Sequence, residues 1–318
     1  MKKLKYIFLG ATRFSKEILL ELVESGFLPK AVFAIEEEYF ISYDKGKTRE
    51  RRKNYNFANL RIEAEKLNVP YYSVDSVPGK RLVDYKHIIQ DLYADVILCL
   101  GWYYMVPKEI RNMAQHGAWG IHASLLPNYA GGAPLVWAII NGETMTGITL
   151  FRMADGVDDG DIIAQKAFEI KYEDTINEVY EKATKCSKEI LLSVFADIDN
   201  VRYIKQDKNK IKVFPQRRPE DGVIDWNSKC SNLYNFIRAQ TLPYPCAFFY
   251  IDDKIVKVIS AEVTDIDSED AEPGSIVKIG DDYLVATRDY FLKLVRIIFE
   301  NKEYDFNEFY SNFLKCDI

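Results

Sequence analysis

The sequence of 318 residues contains only three histidines and no long apolar run. None of its apolar runs approaches the roughly 20 residues that a membrane-spanning helix requires, so no membrane partner is expected. Its five cysteines are scattered, and they contain no Cys-x-x-Cys pair. This pattern argues against both a disulfide framework and a zinc site. A reduced, cytoplasmic protein without a bound metal is therefore expected.

Two further features of the sequence bear on partners. The stretch Phe8-Leu-Gly-Ala-Thr-Arg13 has one glycine and lacks Gly-x-Gly-x-x-Gly, which argues against a dinucleotide site. The net charge is −6, and residues 206–318 hold 15 Lys and Arg against 20 Asp and Glu, or −5. Neither part therefore has the positive excess that a nucleic-acid backbone requires. The exception is the basic segment Lys45–Lys53, which is open to two interpretations, a phosphate contact or a solvated surface loop.

The first part of the chain alternates between strand-like and helix-like segments. Leu4–Leu9 and Trp119–His122 are typical of short strands, and Phe14–Ser25 has apolar residues at helical spacing. The apolar run Val96–Leu100 is typical of a strand buried on both faces. This alternation predicts an α/β domain with an open, mostly parallel, Rossmann-like sheet and helices on both faces.

The pattern changes after a polar, lysine-rich stretch near residue 200. Strand-like runs then recur between turn signals, which predicts a smaller β-barrel or sandwich. These runs are Ala247–Ile251, Ile255–Val263, Ser275–Ile279, Tyr283–Thr287 and Phe291–Ile298. We therefore predict a first domain over residues 1–200, a linker over 201–213 and a second domain over 214–318.

One histidine and one acidic turn are the strongest candidates for chemistry. Open α/β sheets bind ligands beyond the carboxyl ends of their strands, and His122 lies just past a strand. A histidine oriented by a carboxylate can carry a proton or stabilise an oxyanion. Asp158 is one possible partner, and Asp155, Asp159 and Asp161 compete with it. The spacing of these carboxylates does not match an EF-hand, so no metal is expected.

These residues lie in a text that resembles a known family. Gly120-Ile-His-Ala-Ser-Leu-Leu-Pro127, followed by Asp158, resembles the catalytic segment of the folate-dependent formyltransferases. The stretch 133–153 is similar to formyltransferases of nucleotide-linked amino sugars, such as the enzyme that acts on UDP-4-amino-4-deoxy-arabinose. Arg218–Trp226 and Pro243-Tyr-Pro245 are similar to a C-terminal domain shared with methionyl-tRNA formyltransferase. The resemblance implies that this domain is a five-stranded barrel of OB type. Together the similar stretches extend over nearly the whole chain.

The resemblance implies a donor, an acceptor and a set of site residues. The donor is 10-formyltetrahydrofolate, and His122 and Asp158 form the catalytic pair, with Asp158 selected by its spacing in the family. The expected folate contacts are Trp102, Tyr103, Tyr104, Met105, Val157, Asp159 and Gly160. The expected substrate contacts are Ser124, Leu125, Leu126, Pro127, Asn128 and Tyr129. From the residues alone, the aromatic cluster after Leu100 suits a pterin slot or a cap on the core equally well.

The chain departs from the family pattern at two positions. Gly120 stands where the family has a catalytic asparagine, and Ala130 stands where relatives usually have an arginine. Removing one oxyanion donor typically lowers the rate about a hundred- to a thousandfold. Another donor could replace the asparagine, or the chain could be a homologue without turnover or an engineered variant.

The resulting functional hypothesis is formyl transfer to the amino group of a nucleotide-linked 4-amino-deoxysugar. Such a reaction belongs to surface polysaccharide synthesis, either lipopolysaccharide or O-antigen. Related sugar formyltransferases are often dimers, so a homodimer is expected. Three alternatives stay open: a methionyl-tRNA formyltransferase that uses the basic segment, a ligand-binding homologue without turnover, and a hydrolase of formyl-folate.

Overall fold

The computed structural model describes residues 4–41, 50–54 and 56–316. The chain forms two compact units, each assembled from several segments of the sequence. The first unit consists of Met1–Ala130, Gly147–Ala167 and Ala183–Lys212. The second consists of Gly131–Thr146, Phe168–Lys182 and Val213–Ile318.

The strands and helices are numbered in chain order. The strands are β1 (Tyr6–Gly10), β2 (Ala31–Ile35), β3 (Glu38–Ile41), β4 (Glu50–Lys53), β5 (Tyr71–Val74), β6 (Val96–Leu100), β7 (Ala118–His122), β8 (Ala130–Gly131), β9 (Met145–Arg152), β10 (Ile162–Glu169), β11 (Val213–Phe214), β12 (Ala247–Ile251), β13 (Lys254–Asp267), β14 (Ile276–Ile279), β15 (Asp282–Ala286), β16 (Tyr290–Phe299) and β17 (Lys302–Asp305). The helices are α1 (Arg13–Glu24), α2 (Leu60–Lys66), α3 (Lys86–Asp91), α4 (Lys108–Arg111), α5 (Pro134–Ile140), α6 (Ile176–Ala196), α7 (Cys230–Arg238) and α8 (Phe306–Cys316).

A seven-stranded sheet organises the first unit, in the order β10-β9-β7-β6-β1-β2-β5. The pairs β1–β2, β1–β6, β2–β5 and β6–β7 are parallel, whereas β7 and β9 are antiparallel. Every residue of β1, β2 and β6 is buried, because helices cover a central parallel strand and only apolar side chains suit that position. The prediction of a mostly parallel, Rossmann-like sheet with helices is confirmed.

The turn between β1 and α1 meets the end of β6 at very close range. Thr12 and Ser15 form a capping box at the start of α1. Gly101, the first residue after β6, has a φ of +55°, and a Cβ atom there would lie 2.1 Å from Thr12 Oγ1. Only glycine accommodates both the left-handed backbone and this contact. The two connections therefore lie together at the carboxyl edge of the sheet.

The second unit is built on an antiparallel sheet in the order β12-β13-β16-β15-β14, with β17 paired to β16. A core of buried side chains, including Val256, Val258 and Leu292, lies beneath α7 and α8. The expected C-terminal β domain is confirmed as an antiparallel sheet, and its closure as an OB-type barrel stays a prediction. The sequence analysis did not anticipate β17 or α8.

The described part of the basic segment Lys45–Lys53 forms a hairpin strand that the sequence patterns did not predict. Residues 45–49 lie outside the described residues, and the rest belong to β4, which pairs with β3. Each described cation of the segment forms an ion pair with a nearby glutamate: Arg51 with Glu38, Arg52 with Glu50 and Lys53 with Glu37. The described cations of this segment are therefore neutralised locally.

Two further results concern the described ranges as a whole. Within residues 4–41, 50–54 and 56–316, no helix is both long and apolar enough to cross a bilayer. Over the same ranges, no three histidine, cysteine, aspartate or glutamate side chains are grouped so as to hold a metal ion.

Candidate active site

His122 is the last residue of β7, at the carboxyl end of a central strand, and its side chain is buried. Its Nε2 atom lies 2.7 Å from the carbonyl oxygen of Tyr129. A carbonyl oxygen can only accept, so Nε2 carries the proton of this hydrogen bond. The other ring nitrogen, Nδ1, lies 3.4 Å from Asp158 Oδ2. A hydrogen bond between these two atoms therefore requires one more proton on the pair.

Asp158 reaches His122 from a loop that begins at the other end of β7. Arg152, the last residue of β9, pairs with Trp119 near the start of β7. The aspartate loop (Met153–Asp161) therefore runs back along β7 before Asp158 meets His122. Asp158 has a φ of +50°, a left-handed conformation that costs a non-glycine residue roughly 1 kcal/mol. The surrounding contacts must hold this conformation.

The other carboxylates of the aspartate loop have different partners. Asp155 binds the Arg111 guanidinium and lies near Lys108, and the bond to Arg111 lowers the pKa of its carboxyl. Asp159 accepts hydrogen bonds from Gly156 N at 3.1 Å and from Lys208 Nζ at 2.9 Å. Among the loop aspartates, Asp158 is the one whose carboxylate lies beside His122. The competition left open by the sequence is resolved by position.

In the expected substrate segment, Ser124–Tyr129, some side chains bind or pack within the protein and others are exposed. Ser124 is fully buried, and its hydroxyl donates to the Asn128 carbonyl at 2.6 Å within the same segment. The Leu126 side chain is buried in an apolar cluster. Leu125, Pro127 and Tyr129 are half-buried and Asn128 is exposed, so these four have surface to offer a ligand.

The aromatic loop (Gly101–Val106) likewise contains side chains that bind or pack within the protein and one that is mostly exposed. The Tyr103 hydroxyl donates to Asn54 Oδ1 at 2.9 Å, and the Tyr104 hydroxyl donates to the Phe40 carbonyl at 2.8 Å. Trp102 packs against the apolar cluster around Ala11. Met105 is 76% exposed, and it is the residue of this group whose side chain is most open to solvent.

A cavity of about 420 Å³ borders the aspartate loop. Asp159 and Gly160, two of the expected folate contacts, line it together with Arg111, Arg152 and Gln206. Val157 and the residues Trp102–Met105 do not line it. The structure thus brings only part of the expected folate set to this cavity.

Gly120 occupies the middle of β7, and the space in front of it is filled. A Cβ atom added there would lie 2.9 Å from Met153 Cε and 3.3 Å from Phe151 Cε1. The thioether end of Met153 takes up part of this space. Because this end is flexible, a larger residue requires Met153 to move but no backbone shift.

Two polar residues that contact the site, Thr149 and Gln206, were not predicted from the sequence. Thr149 Oγ1 donates to Ser124 O at 2.7 Å and accepts from Leu126 N at 3.0 Å, which fixes the start of the substrate segment. Gln206 Nε2 donates to the carbonyls of Asp158 and Gly160. Both residues reach the site from other strands or connections. Thr149 lies in the stretch 133–153, whose resemblance did not single it out, and Gln206 lies outside the quoted motifs.

Two family models describe the chain. The formyl transferase model matches residues 7–195, and the model of the formyl transferase C-terminal domain matches residues 217–313. The chain belongs to the formyltransferase family. It is therefore a member of a family of one-carbon transferases, as its central motif indicated.

Individual relatives differ in what they formylate. The chain is 29% identical over 301 residues to methionyl-tRNA formyltransferase of Thermodesulfovibrio yellowstonii, covering 93% of this chain and 92% of that one. An N-formyltransferase from Helicobacter canadensis, in complex with folinic acid and dTDP-3-aminofucose, has a TM-score of 0.60 at 18% identity, covering 95% and 100%. HypX from Aquifex aeolicus, in complex with tetrahydrofolic acid, has a TM-score of 0.61 at 18% identity. That comparison covers 99% of this chain but only 48% of HypX.

Proposed function

We propose that this protein transfers a formyl group from 10-formyltetrahydrofolate to the amine of a nucleotide-linked 4-amino-deoxysugar. The observation that carries the proposal is the buried His122 at the end of β7, with Asp158 Oδ2 at 3.4 Å from its Nδ1 atom. A buried imidazole beside a carboxylate can hold and move a proton where a formyl carbon is attacked.

The reaction forms one carbon–nitrogen bond and breaks another. The acceptor amine attacks the formyl carbon, and the bond from that carbon to the donor nitrogen breaks. The attacking nitrogen loses one proton to the His122–Asp158 pair, and the pair returns one proton to the leaving nitrogen, so its protonation is the same before and after turnover. For His122 Nε2–H to donate to the oxyanion, it must exchange its hydrogen bond with the Tyr129 carbonyl for one with the substrate. The products are the formamide of the sugar and tetrahydrofolate.

The cavity of about 420 Å³ beside the aspartate loop has a volume in the range of small-molecule sites. Neither His122 nor Asp158 lines it, so the cavity by itself does not locate the donor. Folates bound to two structural neighbours support the same donor class.

The charge distribution favours a sugar nucleotide over transfer RNA as the acceptor. Residues 206–318 have a net charge of −5, and the described cations of β4 are paired with glutamates. Binding a transfer RNA backbone requires cations that are free to replace counterions. The second candidate is nevertheless a methionyl-tRNA formyltransferase, because the relative at 29% identity has that activity.

The test is formyl transfer from 10-formyltetrahydrofolate to a panel of acceptors, followed by tetrahydrofolate release. The panel contains UDP- and dTDP-linked 4-amino sugars, the corresponding 3-amino sugars and methionyl-tRNA, with His122→Ala as the control. We expect turnover with a 4-amino sugar nucleotide and loss of that turnover in His122→Ala. Turnover with methionyl-tRNA alone would replace the proposal by the second candidate.

Gly120→Asn tests the missing amide in the same assay. We expect this variant to be about a hundredfold faster than the parent if no other group has replaced the asparagine, since one oxyanion donor has an effect of that size. Because Met153 must move to make room, Gly120→Asn combined with Met153→Ala separates a steric block from a missing donor. If the parent and both variants release no tetrahydrofolate with any acceptor, formyl transfer is refuted.

A further inference from the structure

The backbone of the aspartate loop around Asp158 is bound by the side chain of Gln206, from a distant part of the sequence. Gln206 Nε2 lies 2.7 Å from the Asp158 carbonyl and 2.7 Å from the Gly160 carbonyl. Both partners are carbonyl oxygens, which can only accept, so the amide orientation is fixed by its surroundings. One amide group thus binds the backbone on both sides of Asp159.

Gln206 is itself anchored to the sheet. Two residues earlier, Ile204 forms an isolated antiparallel bridge with Ile162, with hydrogen bonds of 2.8 Å in both directions. Ile162 opens β10, directly after the aspartate loop. The position of the Gln206 backbone is therefore set by the same strand that ends the loop. The bridge therefore restrains the backbone that carries the Gln206 amide, which donates to the loop carbonyls.

The loop needs such a restraint at Asp158. This residue has a φ of +50°. This left-handed conformation costs roughly 1 kcal/mol, which is about the net stabilisation from one hydrogen bond. At the other end of the loop, Arg111 donates to the Ala154 carbonyl and the Asp155 carboxylate. Gln206 is the side chain that donates to the carbonyl of Asp158 itself.

We infer that Gln206 is a positioning residue for formyl transfer, which aims the Asp158 carboxylate at His122 through the backbone of the loop. The inference rests on the proposed function for its catalytic consequence, whereas the restraint on the loop can be measured without turnover. A displacement of about 1 Å at a catalytic group can lower a rate about a hundredfold.

The decisive variant is Gln206→Glu, which has the same shape but presents oxygens that only accept. We expect kcat to fall about 10- to 100-fold, while KM for donor and acceptor changes less than about threefold. Gln206→Ala should fall by a similar factor. Lys210→Ala, an exposed change four residues further along the same connection, is the control and should leave kcat unchanged.

Amide hydrogen exchange provides the measurement that does not depend on activity. Peptides covering residues 153–161 should exchange at least about tenfold faster in Gln206→Glu than in the parent or in Lys210→Ala. Unchanged exchange would overturn the inference even if the protein is inactive with every acceptor. Faster exchange with unchanged kcat would overturn the catalytic role. A rise in donor KM at constant kcat would also overturn it, because Gln206 would then bind the donor.

Discussion

The aromatic loop and the aspartate loop are fastened in opposite ways. The aromatic loop is fixed by its own side chains, whose hydroxyls donate to Asn54 and to the Phe40 carbonyl. The aspartate loop is held mainly by contacts to its backbone carbonyls, from Gln206 and Arg111, and in addition by its Asp155 and Asp159 carboxylates. A loop that is held through its backbone can keep a side chain available for chemistry. In the aspartate loop that side chain is Asp158, beside His122.

The largest expected effect comes from removing the charge of Asp158. Asp158→Asn should lower kcat about a thousandfold or more, as amide replacements of a carboxylate that orients a catalytic histidine do. Asp155→Asn removes another carboxylate of the same loop, which binds Arg111 instead of His122. Steady-state kinetics should show a change of less than about tenfold for it, mainly in donor KM. Equal losses in both variants would contradict the special position of Asp158.

A smaller effect is expected from a methyl group at the end of the aspartate loop. A Cβ atom at Gly160 would lie 1.7 Å from the backbone carbonyl of Arg152, which β9 holds in place. Gly160→Ala should displace the loop, lower kcat about a hundredfold and destabilise the fold by about 1–3 kcal/mol. Thermal unfolding and kinetics on the purified variant measure both quantities.

Gly156→Ala is the matched control for this change. Its Cβ atom would lie 2.5 Å from Asp159 Oδ2, which is the end of a side chain that can rotate away. We expect a loss of less than about fivefold in kcat. If Gly156→Ala is as damaging as Gly160→Ala, backbone closure at Arg152 is not what shapes the loop.

The smallest effect is expected in the aromatic loop. Tyr104→Phe removes one hydroxyl that donates to the Phe40 carbonyl and contacts Asp75, which should cost about 1 kcal/mol of folding free energy. Activity should change less than about twofold, because this hydroxyl is occupied inside the protein. Chemical denaturation compares it with Tyr93→Phe, whose side chain is 75% exposed. A raised donor KM in Tyr104→Phe would instead support the predicted folate contact.

Sequence patterns predicted the regular parts of the fold well, because a buried helix or strand face requires apolar residues at a regular spacing. The apolar run of β6 and the strands β12 and β16 were found within a few residues of their bounds. The hairpin β3–β4 was missed because its charged strand pairs at the surface, where no apolar pattern is required.

The site was predicted unevenly for a related reason. His122 and Asp158 lie in continuous text that resembles a family, and the structure brings them within 3.4 Å. Their catalytic roles stay predictions. Thr149 and Gln206 were not singled out, because a side chain that binds a backbone carbonyl leaves no pattern in the sequence around it. The hydroxyls of Tyr103 and Tyr104 donate to Asn54 and to the Phe40 carbonyl, and the expected contact of these residues with a folate stays a prediction.

The sequence by itself determined the family, most of the strands and helices, and His122 and Asp158 as the proposed catalytic pair. These features follow from local burial and from motifs that stay contiguous in the chain. Only the tertiary structure decided which of the loop aspartates meets His122, what fills the space before Gly120 and which side chain holds the loop. Each of these depends on groups 30 or more residues apart, whose distances are set when β7, β9 and β10 pair.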